Sequence, residues 1–185
     1  RPIPMGHISP EHALMFGISC VLLGSLTLWN YGSLEAGVIA ALSAIFYVLI
    51  YTVWLKPRTA QNIVIGGAAG STPPLIGWTV AGGDITEIIP WLMFVIIFLW
   101  TPPHFWALSL LKVEEYRKVG LPMLPVVKGE RYTRNSIVAY AAMLSLSTLF
   151  LGYKGELGIL YMISATVLGG YFLYLSEILR KAPNT

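Results

Sequence analysis

The chain has 185 residues, of which 56% are hydrophobic and 11% charged, against roughly 25% charged in an average soluble domain. With a mean hydropathy of +0.69, this composition excludes the disordered and nucleic-acid-binding classes, which need dense charge, and argues against a soluble globular domain. Cys20 is the lone cysteine, so neither an intrachain disulfide nor a cysteine-built metal site is available, and the informative feature is where the twelve Lys and Arg residues fall.

The chain opens at Arg1-Pro2-Ile3-Pro4 with neither an initiating Met nor a basic-then-apolar leader, and reads as a piece of a longer protein. A spanning helix needs about 20 mostly apolar residues. Six stretches meet that, at 13–29, 36–55, 62–82, 88–111, 135–152 and 157–178. The expected fold is therefore all-α, a polytopic transmembrane helical bundle in a lipid bilayer. Threading the chain through a bilayer places Arg1, Lys56, Arg58, Lys112, Arg117, Lys118, Lys128, Arg131, Arg134, Arg180 and Lys181 on one side and Lys154 alone on the other. By the positive-inside rule, the crowded side is the cytoplasmic or matrix face. Trp29, Tyr31, Trp54, Trp91 and Tyr153 near the span ends suit an interfacial aromatic belt.

The gaps on the outer side are short and read as turns. The inner gap at 112–134 is long, with Glu114, Glu115 and Glu130 among six basic residues; long loops tend to carry function. Two spans contain helix breakers, Ser71-Thr72-Pro73-Pro74 in the third and Trp100-Thr101-Pro102-Pro103 in the fourth. In each, Thr can cap a new helix segment whose first position takes Pro. At 72–74 a plain proline kink is an equal reading, whereas at 101–103 a functional break is preferred because His104 follows. The Gly66-Gly67-Ala68-Ala69-Gly70 run offers a small-residue surface for close helix packing.

His104 is the ionisable residue lying well inside a span, and such a residue is a functional candidate. If the helix continues inward from Thr101, His104 shares a face with Leu108 and Glu115, since eleven residues make almost three turns. Tyr51, Lys56, Arg58 and Asn62 gather polar and cationic groups at the same inner depth. Such a cluster beside carboxylates suits a polyanion carried in with Mg²⁺. Phosphates at a membrane surface next to an apolar interior suggest a lipid diphosphate, and the fitting chemistry is ionisation of an allylic diphosphate, with charge stabilised on the leaving group. Aromatic faces such as Trp100, Phe105, Trp106 or Tyr116 could shelter the cation, although aromatic residues at helical spacing are more often simple packing or lipid contact.

The run Trp100-Thr101-Pro102-Pro103-His104-Phe105-Trp106-Ala107-Leu108, then Glu115-Tyr116, then Gly120-Leu121-Pro122-Met123-Leu124-Pro125-Val126-Val127-Lys128-Gly129, resembles the heme O synthases of the UbiA superfamily of intramembrane prenyltransferases. Tyr51 to Arg58, Asn62 to Gly66 and Pro73 to Trp78 are similar to further family segments, and Arg1-Pro2 to the end of an Arg-rich stretch after the first aspartate motif. The resemblance implies a single transmembrane prenyltransferase domain over 1–185, incomplete at the N-terminus and open at the C-terminus, from a bundle of about nine helices. It implies transfer of the farnesyl group of farnesyl diphosphate to a vinyl group of heme B, with water added, giving heme O. Heme B is thus a substrate and Mg²⁺ the cofactor. A heme A synthase or terminal oxidase assembly would be a further partner, in a prokaryotic cell membrane or the mitochondrial inner membrane.

By the same resemblance, Arg1, Tyr51, Lys56, Arg58, Asn62, Trp106, Tyr116, Lys118 and Lys128 bind substrate; pairing with heme propionates is open to the two lysines, though topology and solvation explain them almost as well. Glu114 and Glu115 hold Mg²⁺ where relatives often carry Asp, with the main metal motif upstream of Arg1. His104 stands roughly where quinone and chlorophyll prenyltransferases have an aspartate. Three roles are open to it: axial contact to heme iron, base for the quenching water, or positioning of diphosphate. Asp84, the sole Asp, lies on the outer side. The competing readings are a quinone-precursor prenyltransferase, a heme-carrying subunit ligated through His7, His12 or His104, and a transporter with paired helix breaks.

Overall fold

The computed structural model describes residues 2–182, and among these residues every regular element is helical. Helix α1 (Pro10–Tyr31) starts at Ser9, whose side chain accepts from the His12 N–H, the usual N-cap arrangement. Helix α2 (Leu34–Ile45) is capped in the same way by Ser33 and runs without interruption into a π-helical stretch, Phe46–Leu55. There the Lys56 N–H bonds the Tyr51 carbonyl, five residues back, at 2.8 Å. Then follow α3 (Asn62–Gly70), α4 (Pro73–Val80), α5 (Ile88–Leu110), α6 (Val113–Lys118), α7 (Leu124–Lys128), α8 (Glu130–Lys154) and α9 (Gly158–Lys181).

Five continuous helices, 10–31, 34–55, 88–110, 130–154 and 158–181, are long and apolar enough to cross a membrane. The third expected span is instead broken into α3 and α4. Its freed carbonyls are satisfied by hydroxyls. Ser71 Oγ donates to the Gly67 carbonyl at 2.7 Å and Thr72 Oγ1 to the Ala69 carbonyl at 2.9 Å, while Ser43 of α2 donates to Ala69 at 2.9 Å. Helix α4 then opens on Pro73 and Pro74, where a missing N–H costs nothing. Thr72 does not cap α4; its hydroxyl points back into the break.

The fourth span corrects the sequence-based expectation. Helix α5 passes straight through Pro102 and Pro103, both buried. Thr101 Oγ1 donates to the Ile97 carbonyl one turn back, at 2.9 Å, and starts no new segment. Glycine lets the neighbouring helix close in: a Cβ built on Gly67 would stand 3.2 Å from the Thr101 methyl. The inner gap is also more ordered than a loop. It holds α6 and α7, and α8 begins at Glu130, five residues before the expected span.

Helix α5 packs on α3, α4 and α8, α8 on α9, and α1 on α2. Gly37 makes the last pairing close, since a Cβ there would meet the Ser25 carbonyl at 2.8 Å. The core sits at the inner end, where Trp106, Leu124 and Ile137 are each 2% exposed, with Ala60, Val64, Leu110 and Leu179 against them. This cluster joins the start of α3, the ends of α5 and α9, α7 and the start of α8, so the segments bearing most of the cations converge on one end. The five belt aromatics, Trp29, Tyr31, Trp54, Trp91 and Tyr153, are all exposed.

Candidate functional site

The π-helical stretch, α3 and α5 leave an apolar cleft of about 300 Å³ between them, walled by Tyr47 and Tyr51, Gly66 and Gly70, and Trp100 and Phe105. Tyr47 and Tyr51 lie ring against ring at 5.2 Å. Gly66 is required here because a Cβ on it would fall 2.1 Å from Tyr51 Cδ2. The inner end of the cleft meets the donor cluster, since Asn62 precedes Ile63 of the cleft wall and the Lys56 N–H is held by the Tyr51 carbonyl. The Tyr116 phenol of α6 is near enough to the Tyr51 phenol for the two to interact through space, while α6 itself packs against α5 and α7.

The donors differ in what they have free. Arg58 turns its guanidinium onto the carbonyls of Val53 and Trp54, at 3.5 and 3.2 Å, closing the end of the π-helical stretch. Asn62 is 1% exposed; its Nδ2 donates to the Lys56 carbonyl at 3.4 Å, while its buried Oδ1 has no partner. The amide therefore offers an acceptor, suited to a hydroxyl or a cation rather than to a phosphate oxygen. The Lys56 side chain is half-buried, and Lys118 and Lys128 are exposed.

His104 is exposed on α5. Its ring stacks on Trp100 at 4.5 Å and 19° and meets the edge of Phe105 at 5.3 Å. It does not share a helix face with Glu115. Helix α5 ends at Leu110, and Lys112 takes a non-helical φ of −134° before α6 starts, so the three-turn register is lost. Trp106 faces the other way, into the core, edge-on to Tyr140 at 5.2 Å, and lines neither this cleft nor the larger cavity beyond it. Arg1 lies outside the described residues.

Glu114 pairs with Arg117, and Glu115 with Lys112 at 3.4 Å, all four side chains being more than half exposed. No group of three His, Cys, Asp or Glu forms among the described residues. What α6 offers is two open carboxylates in weak, exchangeable ion pairs, a donor set that fits the open mode of Mg²⁺ binding, with one or two carboxylates plus substrate phosphates and water. At the opposite end, the Asp84 carboxylate accepts from the Thr86 N–H and Oγ1, each at 2.8 Å, and these bonds hold its pKa below the usual carboxylate value. His12 is engaged with Ser9 Oγ at 2.7 Å, and both His7 and His12 are exposed.

Sequence reasoning missed three features. The π-helical stretch brings Tyr47 into the cleft. Trp100 stands between two cavities. Arg134, counted among the loop cations, is 5% exposed and ion-paired to Glu130 at 2.9 Å; the i, i+4 spacing was the available signal.

The UbiA prenyltransferase family model matches residues 1–185, the whole run from the π-helical donors through the His104 helix and its inner segment. The chain belongs to this family. Curated relatives include a protoheme IX farnesyltransferase of Synechocystis sp., 47% identical over 99% of the chain and 58% of the relative. One of Novosphingobium aromaticivorans is 50% identical over 100% of the chain and 61% of its own length, and one of Rhizobium etli 46% identical over 100% and 58%. The chain thus spans less than two thirds of the length of these UbiA relatives. No solved structure matches it.

Proposed function

We propose that the complete protein joins the farnesyl group of farnesyl diphosphate to a vinyl group of heme B, adding water, to give heme O and diphosphate. The observation that carries this reading is the apolar cleft whose inner end meets Tyr51, Lys56 and Asn62. Such a site holds a charged head at the interface and an apolar tail at membrane depth. It is one transmembrane domain, with the head group on the cytoplasmic or matrix side given by the cation bias.

The allylic C–O bond breaks and diphosphate departs with the bonding pair. The vinyl carbon of heme attacks the allylic cation, and the new cation beside the porphyrin takes up water, which loses a proton. Lys56 and the N–H groups that Arg58 does not spend on carbonyls face the leaving diphosphate, where charge develops. Glu114 or Glu115 would hold Mg²⁺ together with diphosphate oxygens, the ion neutralising charge on the leaving group. Tyr47, Tyr51, Trp100 and Phe105 present ring faces to the chain being transferred. Lys118 and Lys128 pair with heme propionates. His104 lines neither cavity but stacks on Trp100, which lines both; from that place beside the cleft it takes the proton of the quenching water.

The test supplies membranes holding the complete parent protein with heme B, farnesyl diphosphate and Mg²⁺, and separates heme products by mass. A Mg²⁺-dependent hydroxyethylfarnesyl heme is expected, with His104→Ala lowering its rate by about 10²–10⁴. Unchanged heme with a prenylated quinone precursor would overturn the acceptor. No transfer to either would overturn the reading.

A further inference from the structure

Beyond the cleft lies a second, larger apolar cavity of about 560 Å³, between α5, α8 and α9, lined among others by Leu144, Leu168 and Phe172. The two spaces have only Ile97 and Trp100 in common. From Phe105 at the inner end to Ile97, the cleft follows eight residues of α5, about 12 Å at 1.5 Å per residue. It is at the lower bound of ligand cavities, roughly 300–1,000 Å³, while the space behind it is nearly twice as large. Trp100 is not a loose flap, because its indole is stacked on His104 at 4.5 Å.

We propose that Trp100 sets the length of prenyl chain the site accepts, by walling off, together with Ile97, the smaller cleft from the larger cavity. The proposal rests on the reading above only in that the cleft holds the tail of an allylic diphosphate. The head is fixed at the inner end by the cations and the tail runs outward along Gly66 and Gly70, so each added isoprene unit moves the tip toward the indole. A chain that fits short of Trp100 lies against Tyr51, Ile63, Gly66 and Gly67 of the cleft wall. One that is longer must displace a ring braced by His104, or fold back into the acceptor's space. Removing the indole joins the two cavities and gives the longer chain an apolar continuation.

The experiment uses the complete protein in membranes with heme B, Mg²⁺ and the geranyl, farnesyl and geranylgeranyl diphosphates, read as ratios of kcat/KM. Ratios are used because Trp100 touches His104, and any general loss of rate cancels between substrates. Trp100→Leu is expected to raise the geranylgeranyl-to-farnesyl ratio by about tenfold or more, the scale on which a pocket discriminates small apolar increments. Trp100→Phe, which keeps a ring on the partition, should stay near the wild-type ratio. Gly70→Leu should act in reverse and favour geranyl, since Gly70 lines the cleft and a Cβ there meets nothing within 4 Å, which leaves room for a bulkier side chain to narrow it.

If Trp100→Leu does not fold, Ile97→Ala carries the same expectation, as it thins the same partition. Unchanged ratios in the folded partition variants and in Gly70→Leu overturn the proposal while leaving the transferase reading intact. A wild type that prenylates a different acceptor overturns heme as acceptor, yet the ratio still reads chain length. A wild type that transfers no prenyl group to any acceptor overturns both.

Discussion

Gly66 gives the sharpest packing prediction. A Cβ placed on it would lie 2.1, 2.7 and 2.8 Å from Cδ2, Cε2 and Cγ of Tyr51, and the shortest of these is 1.3 Å inside the 3.4 Å where ordinary contact begins. Because Cγ is among the atoms met, a small rotation of the ring does not relieve the clash; Tyr51 must leave its place or α3 must part from the π-helical stretch. Overpacking of this kind costs about 1–3 kcal/mol, and the better helix propensity of Ala offsets up to about 1 kcal/mol. Gly66→Ala should therefore lose about 1–2 kcal/mol in equilibrium unfolding of the complete protein in mixed micelles, and lose prenyl transfer as Tyr51 is displaced. The neighbours grade the effect: a Cβ on Gly67 meets the Thr101 methyl at 3.2 Å, and one on Gly70 meets nothing within 4 Å. Gly67→Ala should be close to neutral, and Gly70→Ala neutral or slightly stabilising. In a Tyr51→Ala background, the cost of Gly66→Ala should vanish, a coupling of about 1 kcal/mol or more. Full stability of Gly66→Ala, or an equal loss with and without the Tyr51 ring, would refute the argument.

Arg134, which also reaches the Ala182 carbonyl, pairs with Glu130 where both side chains are largely buried; Arg134→Ala should cost about 3–5 kcal/mol in the same unfolding assay, and Glu130→Ala/Arg134→Met should recover most of it. Glu114→Gln and Glu115→Gln should leave stability within about 0.5 kcal/mol, because their ion pairs are exposed, while the Mg²⁺ needed for half-maximal prenyl transfer rises by about tenfold, more in the double variant. The hydrogen bonds from Thr86 depress the Asp84 pKa in the folded state, so their stabilisation is present above the unfolded value of about 3.9 and is lost as pH falls through the folded one. Asp84→Asn should flatten that acid limb of an unfolding titration and leave its neutral and alkaline parts parallel to wild type.

Much of the architecture was written in composition and charge. Apolar length gives the long helices, and the one-sided cations agree with the convergence of helix ends on the Trp106–Leu124–Ile137 core. The two Thr-Pro-Pro sites show where local reading runs out. Both carry the same breaker, yet only the first breaks, because it follows a weak helix of Gly66, Gly67 and Gly70 and has Ser43 and Ser71 to satisfy its carbonyls. The second follows the strongly apolar turns of Ile96 to Trp100 and continues. His104 and Glu115 part company because the chain turns at Leu111–Lys112, which no periodicity announces. Phe105 and Trp106 are adjacent on a helix that is apolar all round, so sequence does not say which ring meets the cleft and which the core. The π-helical stretch is invisible for a related reason: it alters hydrogen-bond register without altering residue type.

That register carries a consequence for how this site tolerates insertion and deletion. A wide turn is an extra residue absorbed by the backbone, so Tyr51 to Lys56 are aimed by a residue count rather than by their own chemistry. Deleting one apolar residue between Phe46 and Ile50 leaves Tyr51 and Lys56 five residues apart, so their wide turn persists while the stretch before it loses one position. With the twist per residue kept, everything from Tyr51 onward would swing by about 100° around the helix axis, carrying Tyr51 off the cleft and the Lys56 backbone off Asn62. Point substitutions along this stretch are packing problems, whereas a single-codon deletion changes which way the site faces.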